Sequence, residues 1–274
     1  MAIPYDKLVS WAKPGKNQNS RDTYAKLKQI IEENFDNVDI FLQGSYANST
    51  NVRDNSDIDV VVAAKDYTTP ALVPFTDQKN LITLKEDLYK AINGKRNFKF
   101  VRGAKTIKYE GNSYNFVPAD IIPACYFEKN GQQGIALFNA LKNQIIYNYP
   151  KQHKENGEEK SGNTNGNYKK TVRMFKNARD HIIDLKYIPD NLAPSYFIEC
   201  LLYNVPDEYF DGNESNCMFN VLKWLFNHRN SLGGMVCQNG ITKLFGNSST
   251  QWNTSDAKLF IERLVYLWDN WGKQ

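Results

Sequence analysis

Hydrophobic positions recur at helical spacing over residues 20–35, where Tyr24, Leu27, Ile30 and Ile31 fall on one stripe and Ser20 stands where an N-cap belongs. A short apolar run at 38–42, bounded by Gly44, predicts a strand, and the β-branched run 58–64 predicts a second. Residues 77–92 return to helical periodicity through Leu81, Leu84, Leu88 and Ile92. Three further short strands are expected at 98–101, 106–109 and 114–122. Residues 151–167, KQHKENGEEKSGNTNGN, are polar and rich in Gly and Asn, the pattern of a surface connection. Beyond it the spacing is helical at 168–185, 195–203, 217–228 and 256–271. The prediction is an α+β lobe over 1–150, a polar connection over 151–167 and a helical lobe over 168–274, with a ligand cleft between the lobes.

Composition narrows the class. The chain has 274 residues, 41% hydrophobic, 13% aromatic and 23% charged, enough apolar content for a packed core and not that of a disordered or fibrous chain. No uninterrupted apolar run approaches the roughly 18–20 residues of a membrane span, and the N-terminus lacks the basic, apolar, small-residue order of a secretory signal. Cys125, Cys200, Cys217 and Cys237 are widely spaced, with no CxxC and no nearby histidine, so neither a disulfide framework nor a zinc knuckle is expected. A cytoplasmic location follows from the reducing environment such thiols suit. The net charge of +4 and pI of about 8.6 suit a polyphosphate ligand but are too slight a bias for duplex DNA.

The chemistry concentrates in residues 41–62, FLQGSYANSTNVRDNSDIDVVV. A strand ending at Gln43 runs into Gly44-Ser45; Gly44 allows close approach of backbone to a ligand, and Ser45 is placed to cap a short helix whose free N–H groups suit phosphate. Asp57 and Asp59 follow twelve and fourteen residues after Ser45, two apart at the start of a strand, so both carboxylates project to one side. Like charges that close favour a cation between them, and hard oxygen ligands suit Mg²⁺ or Mn²⁺. Asp120, an acid inside the apolar run FVPADIIPA, is the third carboxylate that a two-metal phosphoryl-transfer site needs. A lone GS is an ordinary turn and a lone DxD is ordinarily a solvated strand face; the combination is what carries weight.

The GS…DxD…D spacing resembles the polymerase-β-type nucleotidyltransferase superfamily. The blocks QGSYANSTNVRDNSDIDVVV, VPADIIPA, NYPKQHKENG, NYKKTVRMFKNAR, LAPSYFIECLLYNVPD and CQNG…LFG resemble the bacterial cGAS/DncV-like nucleotidyltransferases of CBASS antiphage defence, and among these clade E. The resemblance implies a nucleotidyltransferase palm with a mixed sheet and flanking helices, plus a helical C-terminal lobe. It implies that Asp57, Asp59 and Asp120 bind two Mg²⁺ ions, with Mn²⁺ as a substitute, and that Gln43, Gly44 and Ser45 hold the donor triphosphate. Arg173 and Lys176 share one helix face, and the resemblance places the lysine on the triphosphate. It likewise puts Ser195, at a helix entry, on phosphate and Tyr196 against a base. Asn148 corresponds to a base-facing position where asparagine accompanies uracil, whose edge both donates and accepts as an amide does.

The activity so implied is template-independent synthesis of a 3′,3′-cyclic dinucleotide from two nucleoside triphosphates, UTP and ATP with GTP as a further candidate. The expected product contains uridine, cyclic UMP-AMP or cyclic di-UMP. The alternatives are a cyclic di-purine product, such as cyclic di-GMP or cyclic di-AMP, and transfer to a foreign acceptor: RNA, protein or a small-molecule hydroxyl. A monomer is expected, with no membrane or duplex-DNA partner, whose product is sensed by a separate effector protein.

Overall fold

A computed structural model describes residues 2–16, 18–52, 57–111, 116–248 and 250–273. The chain forms two compact units: a mixed unit of residues 15–47 and 53–150, and a helical unit of residues 151–274 joined by 1–14 and 48–52. In chain order, α1 (Tyr5–Ala12) belongs to the helical unit and α2 (Gln18–Glu32) opens the mixed one. β1 (Val38–Gln43) runs into the four-residue α3 (Gly44–Ala47), and β2 (Ile58–Ala64) follows. The two-residue strands β3 (Tyr67–Thr68) and β4 (Lys79–Asn80) precede α4 (Leu81–Ile92). β5 (Phe100–Arg102), β6 (Ile107–Tyr109), β7 (Ala119–Lys129), β8 (Gln132–Asn139) and β9 (Gln144–Asn148) complete the mixed unit. The helical unit continues with α5 (Pro150–Asn163), α6 (Asn167–Asp184), α7 (Ser195–Tyr203), α8 (Glu214–His228) and α9 (Thr254–Asp269).

Among the described residues, seven strands form one mixed sheet in the order β1-β2-β7-β6-β5, extended by β8 on β7 and β9 on β8. The β2–β7 pair is parallel and the others in this sheet are antiparallel. The sequence IDVVVAA suits a central strand because both faces of β2 are covered. Val60 and Val62 pack with Leu27, Ile30 and Ile31 of α2 and Leu88 and Ile92 of α4, while Val61 and Ala63 pack with Ile122, Ala124, Ile135 and Leu137 on the other face. This is the α+β architecture expected from the spacing. No helix among the described residues is long and apolar enough to cross a membrane.

Several boundaries differ for local reasons. α4 starts at Leu81 rather than 77, because Lys79 and Asn80 form β4 and the Asn80 side chain accepts the Ile82 N–H at 3.0 Å. Asn213 and Asn253 cap α8 and α9, so these helices begin three and two residues before the starts expected at 217 and 256. Ser20 lies inside α2 rather than capping it. Part of the strand expected at 114–122 lies outside the described residues.

The larger corrections concern the polar connection and the lobe boundaries. Most of 151–167 is α5, and its inward positions, His153, Gly157 and Lys160, follow helical spacing without apolar side chains, as does the buried Thr164 just past its end. Lys160 Nζ donates to the Val205 carbonyl at 2.7 Å and pairs with Asp207 at 2.5 Å. Gly157 reads as a linker residue, yet a Cβ there would enter the Gln238 amide, which is itself bonded to the His153 carbonyl at 2.7 Å and to the Tyr168 hydroxyl at 2.5 Å. Gly166, at φ 81°, turns the chain from α5 into α6. Residues 1–14 also leave the expected 1–150 lobe, because Leu8, Trp11 and Ala12 of α1 are buried in the core of the helical unit.

Gly157→Ala therefore trades roughly 1 kcal/mol of helix propensity against the larger cost of displacing a buried, doubly bonded amide. The expected result is a fall of about 2–4 °C in unfolding midpoint, read by calorimetry, where an exposed helical Gly→Ala change would raise it.

Candidate active site

In the mixed unit, Asp59 is the one residue of β2 that is not fully buried. The register sets Asp59 opposite Asp120 of β7 and opposite Gln43 of β1, and sets Asp120 opposite Lys108 of β6. Directly opposed residues share a face, so Gln43, Asp59, Asp120 and Lys108 form a row across four strands. Alternation places the row on the face of Val61 and Ile122, away from α2 and α4. Thr106 donates to Asp120 Oδ1 at 2.9 Å. Burial pushes the Asp59 carboxyl up to about 6, with the charges of Asp120 and then Asp57 adding to the rise. Asp57 stands exposed just before β2.

Gly44 lies at φ 73°, and a Cβ there would fall on the Asp59 carboxylate. Glycine is thus required twice, by backbone conformation and by space. α3 begins at Gly44, so Ser45 sits within its first turn rather than capping it. Asn148 ends β9, paired in register with Ile135, two residues before α5 begins.

The carboxylates carry a charge pattern that a divalent cation relieves: one acid is forced toward neutrality by burial and by two like charges. Among the described residues no three His, Cys, Asp or Glu side chains come together closely enough to hold a metal ion by themselves. An open acidic edge of this kind suits a hard ion that shares its coordination sphere with phosphate oxygens.

In the helical unit, Ser195 is the first residue of α7 after Pro194, as its sequence suggests. Arg179 Nη1 donates to Ser195 Oγ at 3.2 Å and to the Ala193 carbonyl at 2.9 Å. Tyr196 is 43% exposed; its ring stacks on His153 with centroids 5.3 Å apart, and burial of its hydroxyl end, near the thiols of Cys200 and Cys237, raises its pKa. Arg173 and Lys176 lie on α6 as expected but are buried, at 8% and 1% exposure. Arg173 donates to the carbonyls of Ala12 and Ser49, each at 2.6 Å, and Lys176 pairs with Glu199. Sequence reasoning passed over Arg179, Glu199, His153 and Lys108. Glu199 carries the same signal that exposed Asp120, a lone acid in an apolar run.

Asp59 has a folded pKa above that of the unfolded chain, so the fold holds a proton that the unfolded chain has lost. In metal-free protein this makes stability fall as pH rises from about 4 to about 6, the loss being complete above about 6. Asp59→Asn is expected to remove that part of the pH dependence and to raise the metal-free unfolding midpoint at pH 7.5 by about 2–4 °C. Scans with a chelator at pH 4.5, 6 and 7.5 check this; a midpoint lowered by the substitution at pH 7.5 would contradict it.

Comparison with known proteins agrees with this architecture. A family model of the nucleotidyltransferase domain matches residues 25–143, and a model of the cGAS/DncV-like nucleotidyltransferase C-terminal helical domain matches residues 155–269. The chain is 34% identical, over 305 aligned positions covering all of both proteins, to a cyclic UMP-AMP synthase of Rhodothermus marinus. It is 32% identical, again over all of both, to a cyclic dipurine nucleotide synthase of Elizabethkingia meningoseptica. The solved structure of Rhodothermus marinus CdnE c-UMP-AMP synthase with Apcpp and Upnpp matches with a TM-score of 0.86, covering 99% of this chain and 98% of that one at 34% identity. With both domain types in the same order and identity sustained over the full length, the chain belongs to the cGAS/DncV-like nucleotidyltransferase family, alongside the CdnE enzymes.

Proposed function

We propose that this nucleotidyltransferase joins two nucleoside triphosphates into a 3′,3′-cyclic dinucleotide without a template. The observation that carries the reading is the pairing of Asp59 with Asp120, with the Asp59 carboxylate lying against Gly44. Nucleotidyltransferases generally use divalent metal ions, and Asp57, Asp59 and Asp120 would hold two Mg²⁺, or Mn²⁺ in their place. When bound, these ions would neutralise phosphate charge and acidify the attacking hydroxyl.

The chain's own groups divide the remaining work. Gln43, Gly44 and Ser45 hold the donor triphosphate. Asp120, held at Oδ1 by Thr106, accepts the proton of the attacking 3′-hydroxyl. The 3′-oxygen bonds to the α-phosphorus as the bond to the bridging oxygen breaks, and pyrophosphate leaves. The linear intermediate then turns round for a second, equivalent attack. In the helical unit Ser195, backed by Arg179, contacts phosphate, and the exposed part of the Tyr196 ring stacks on a base. Asn148 reads uracil, giving cyclic UMP-AMP or cyclic di-UMP from UTP and ATP. The similarity to a cyclic UMP-AMP synthase supports that product. The nearly equal similarity to a dipurine synthase supports the second reading, a cyclic di-purine product. The product acts as a second messenger in antiphage signalling, sensed by a separate effector.

The test is incubation with Mg²⁺ or Mn²⁺ and the four ribonucleoside triphosphates, each α-labelled in turn, followed by phosphatase and mass measurement. A phosphatase-resistant species with the mass of a cyclic dinucleotide is expected, and its labels name the bases. A linear or foreign adduct would transfer the reading to another acceptor. Asp57→Asn with Asp59→Asn is expected to abolish product while leaving a cooperative unfolding transition. Asn148→Ala is expected to lower incorporation of label from UTP relative to ATP by about tenfold, the loss of one hydrogen bond that reads a base edge. Unchanged label ratios would remove Asn148 from base selection.

A further inference from the structure

Glu199 is 3% exposed on the otherwise apolar α7, and both its oxygens are engaged. Oε1 accepts from Thr50 Oγ1 at 2.5 Å and pairs with Lys176 Nζ. Oε2 accepts from Asn48 Nδ2 at 3.2 Å and lies 3.3 Å from His153 Nε2. Burial alone would raise the carboxyl's pKa; Lys176 beside it and the contact with His153 outweigh that and hold it below the usual carboxylate range. Lys176 Nζ also donates to the Thr50 carbonyl at 3.2 Å and to Thr50 Oγ1 at 3.0 Å, while Arg173 holds the carbonyl of Ser49.

What this cluster grips is unusual. Asn48, Ser49 and Thr50 form no helix or strand, Ser49 sits in the left-handed region at φ 57°, and Asn48 and Thr50 are 7% and 2% exposed. A non-glycine residue persists there only when its surroundings over-determine it. These residues belong to the helical unit, yet they directly follow Gly44–Ala47 in the chain. A buried ion pair contributes little net stability compared with apolar packing of the same volume, and here it fixes the geometry of the residues it contacts.

We propose that Glu199 is a positioning residue for nucleotidyl transfer, with Lys176 as its partner: the pair clamps Asn48 and Thr50 on either side of Ser49, whose carbonyl Arg173 holds, and so presets the Gly44-Ser45 turn for the triphosphate. The inference rests on the reading of Gly44-Ser45 given under Proposed function. Thr50 is the link that transmits the clamp.

Thr50→Val removes the hydroxyl at nearly constant shape, and Thr50→Ser keeps it. Binding of α,β-methylene-ATP with Mg²⁺ is measured by calorimetry, alongside KM, kcat and unfolding midpoint. For Thr50→Val the expected result is an about tenfold weaker analogue and an about tenfold higher KM, the factor of one charged-acceptor hydrogen bond, with kcat within about threefold. Thr50→Ser is expected to return both binding values to within about twofold of wild type. Analogue binding by Thr50→Val within twofold of wild type would overturn the inference. So would a fall in kcat and midpoint with KM unchanged, the mark of a purely structural role. Should Thr50→Val fail to fold, Asn48→Ala removes the other arm: a raised KM supports the clamp and an unchanged one overturns it. If wild-type protein binds no analogue at all, the triphosphate reading of Gly44-Ser45 falls and this inference with it; failure of Thr50→Val alone leaves that reading standing.

Discussion

A carboxylate buried among α5, α6 and α7 must find a cation and a full set of donors or lose its charge, and the helical unit is arranged around how Glu199 meets that demand. α6 supplies Lys176, α5 supplies His153, and residues 48–50 supply Asn48 and Thr50. The consequences spread outward along the backbone. The Glu199 carbonyl accepts the Tyr168 hydroxyl at 3.0 Å, that hydroxyl also reaches Gln238, and the Gln238 amide donates to the His153 carbonyl. Gln238 then requires the missing Cβ of Gly157. One buried network thus joins the Glu199 residue to His153 on the polar face of α5, a helical glycine and a buried glutamine far away in the sequence.

Asp59 is the counterexample within the same chain. It too is largely enclosed, but the charges that act on it are Asp120 and Asp57 rather than a lysine, and they drive it the opposite way from Glu199. A protein that can satisfy one buried carboxylate so fully has no structural reason to leave another in repulsion. The unrelieved charge on the sheet fits the chemical role proposed for it, whereas the relieved charge in the helices fits an architectural one. Gly44 joins the two themes, since its missing side chain is what lets the Asp59 carboxylate lie against the turn that follows β1.

What could be read from the sequence follows the same division. Apolar periodicity located β1, β2, α2, α4 and α6–α9 to within a few residues, because their inward faces are hydrophobic. It missed α5, whose inward face is His153, Gly157 and Lys160, and it missed α1, a short N-terminal helix built on Leu8, Trp11 and Ala12. The β8–β9 hairpin went unassigned although Ile135, Leu137 and Ile146 belong to the sheet's core. The carboxylates were legible because two acids at strand spacing opening an apolar run violate the pattern of a central strand. Glu199 broke the pattern of its helix just as plainly, but its partners lie 23 to 151 residues away and only the fold brings them together.

Base choice is the feature least tied to this frame, and physics says why. If Tyr196 stacks on a base, the contact contributes roughly 1–3 kcal/mol whichever base it is, since every base offers a π-face. Under the proposed function the carboxylate row and the Gly44 turn would meet only phosphate and sugar, which all ribonucleotides share. Discrimination must therefore come from groups that meet a base edge, and a change of about 1.4 kcal/mol, one hydrogen bond, is already tenfold. A single amide such as Asn148, which can offer both donor and acceptor to uracil, carries enough energy to set the product, while hundreds of packing interactions elsewhere leave it undecided. Product identity can thus shift between chains whose fold and catalytic row are the same.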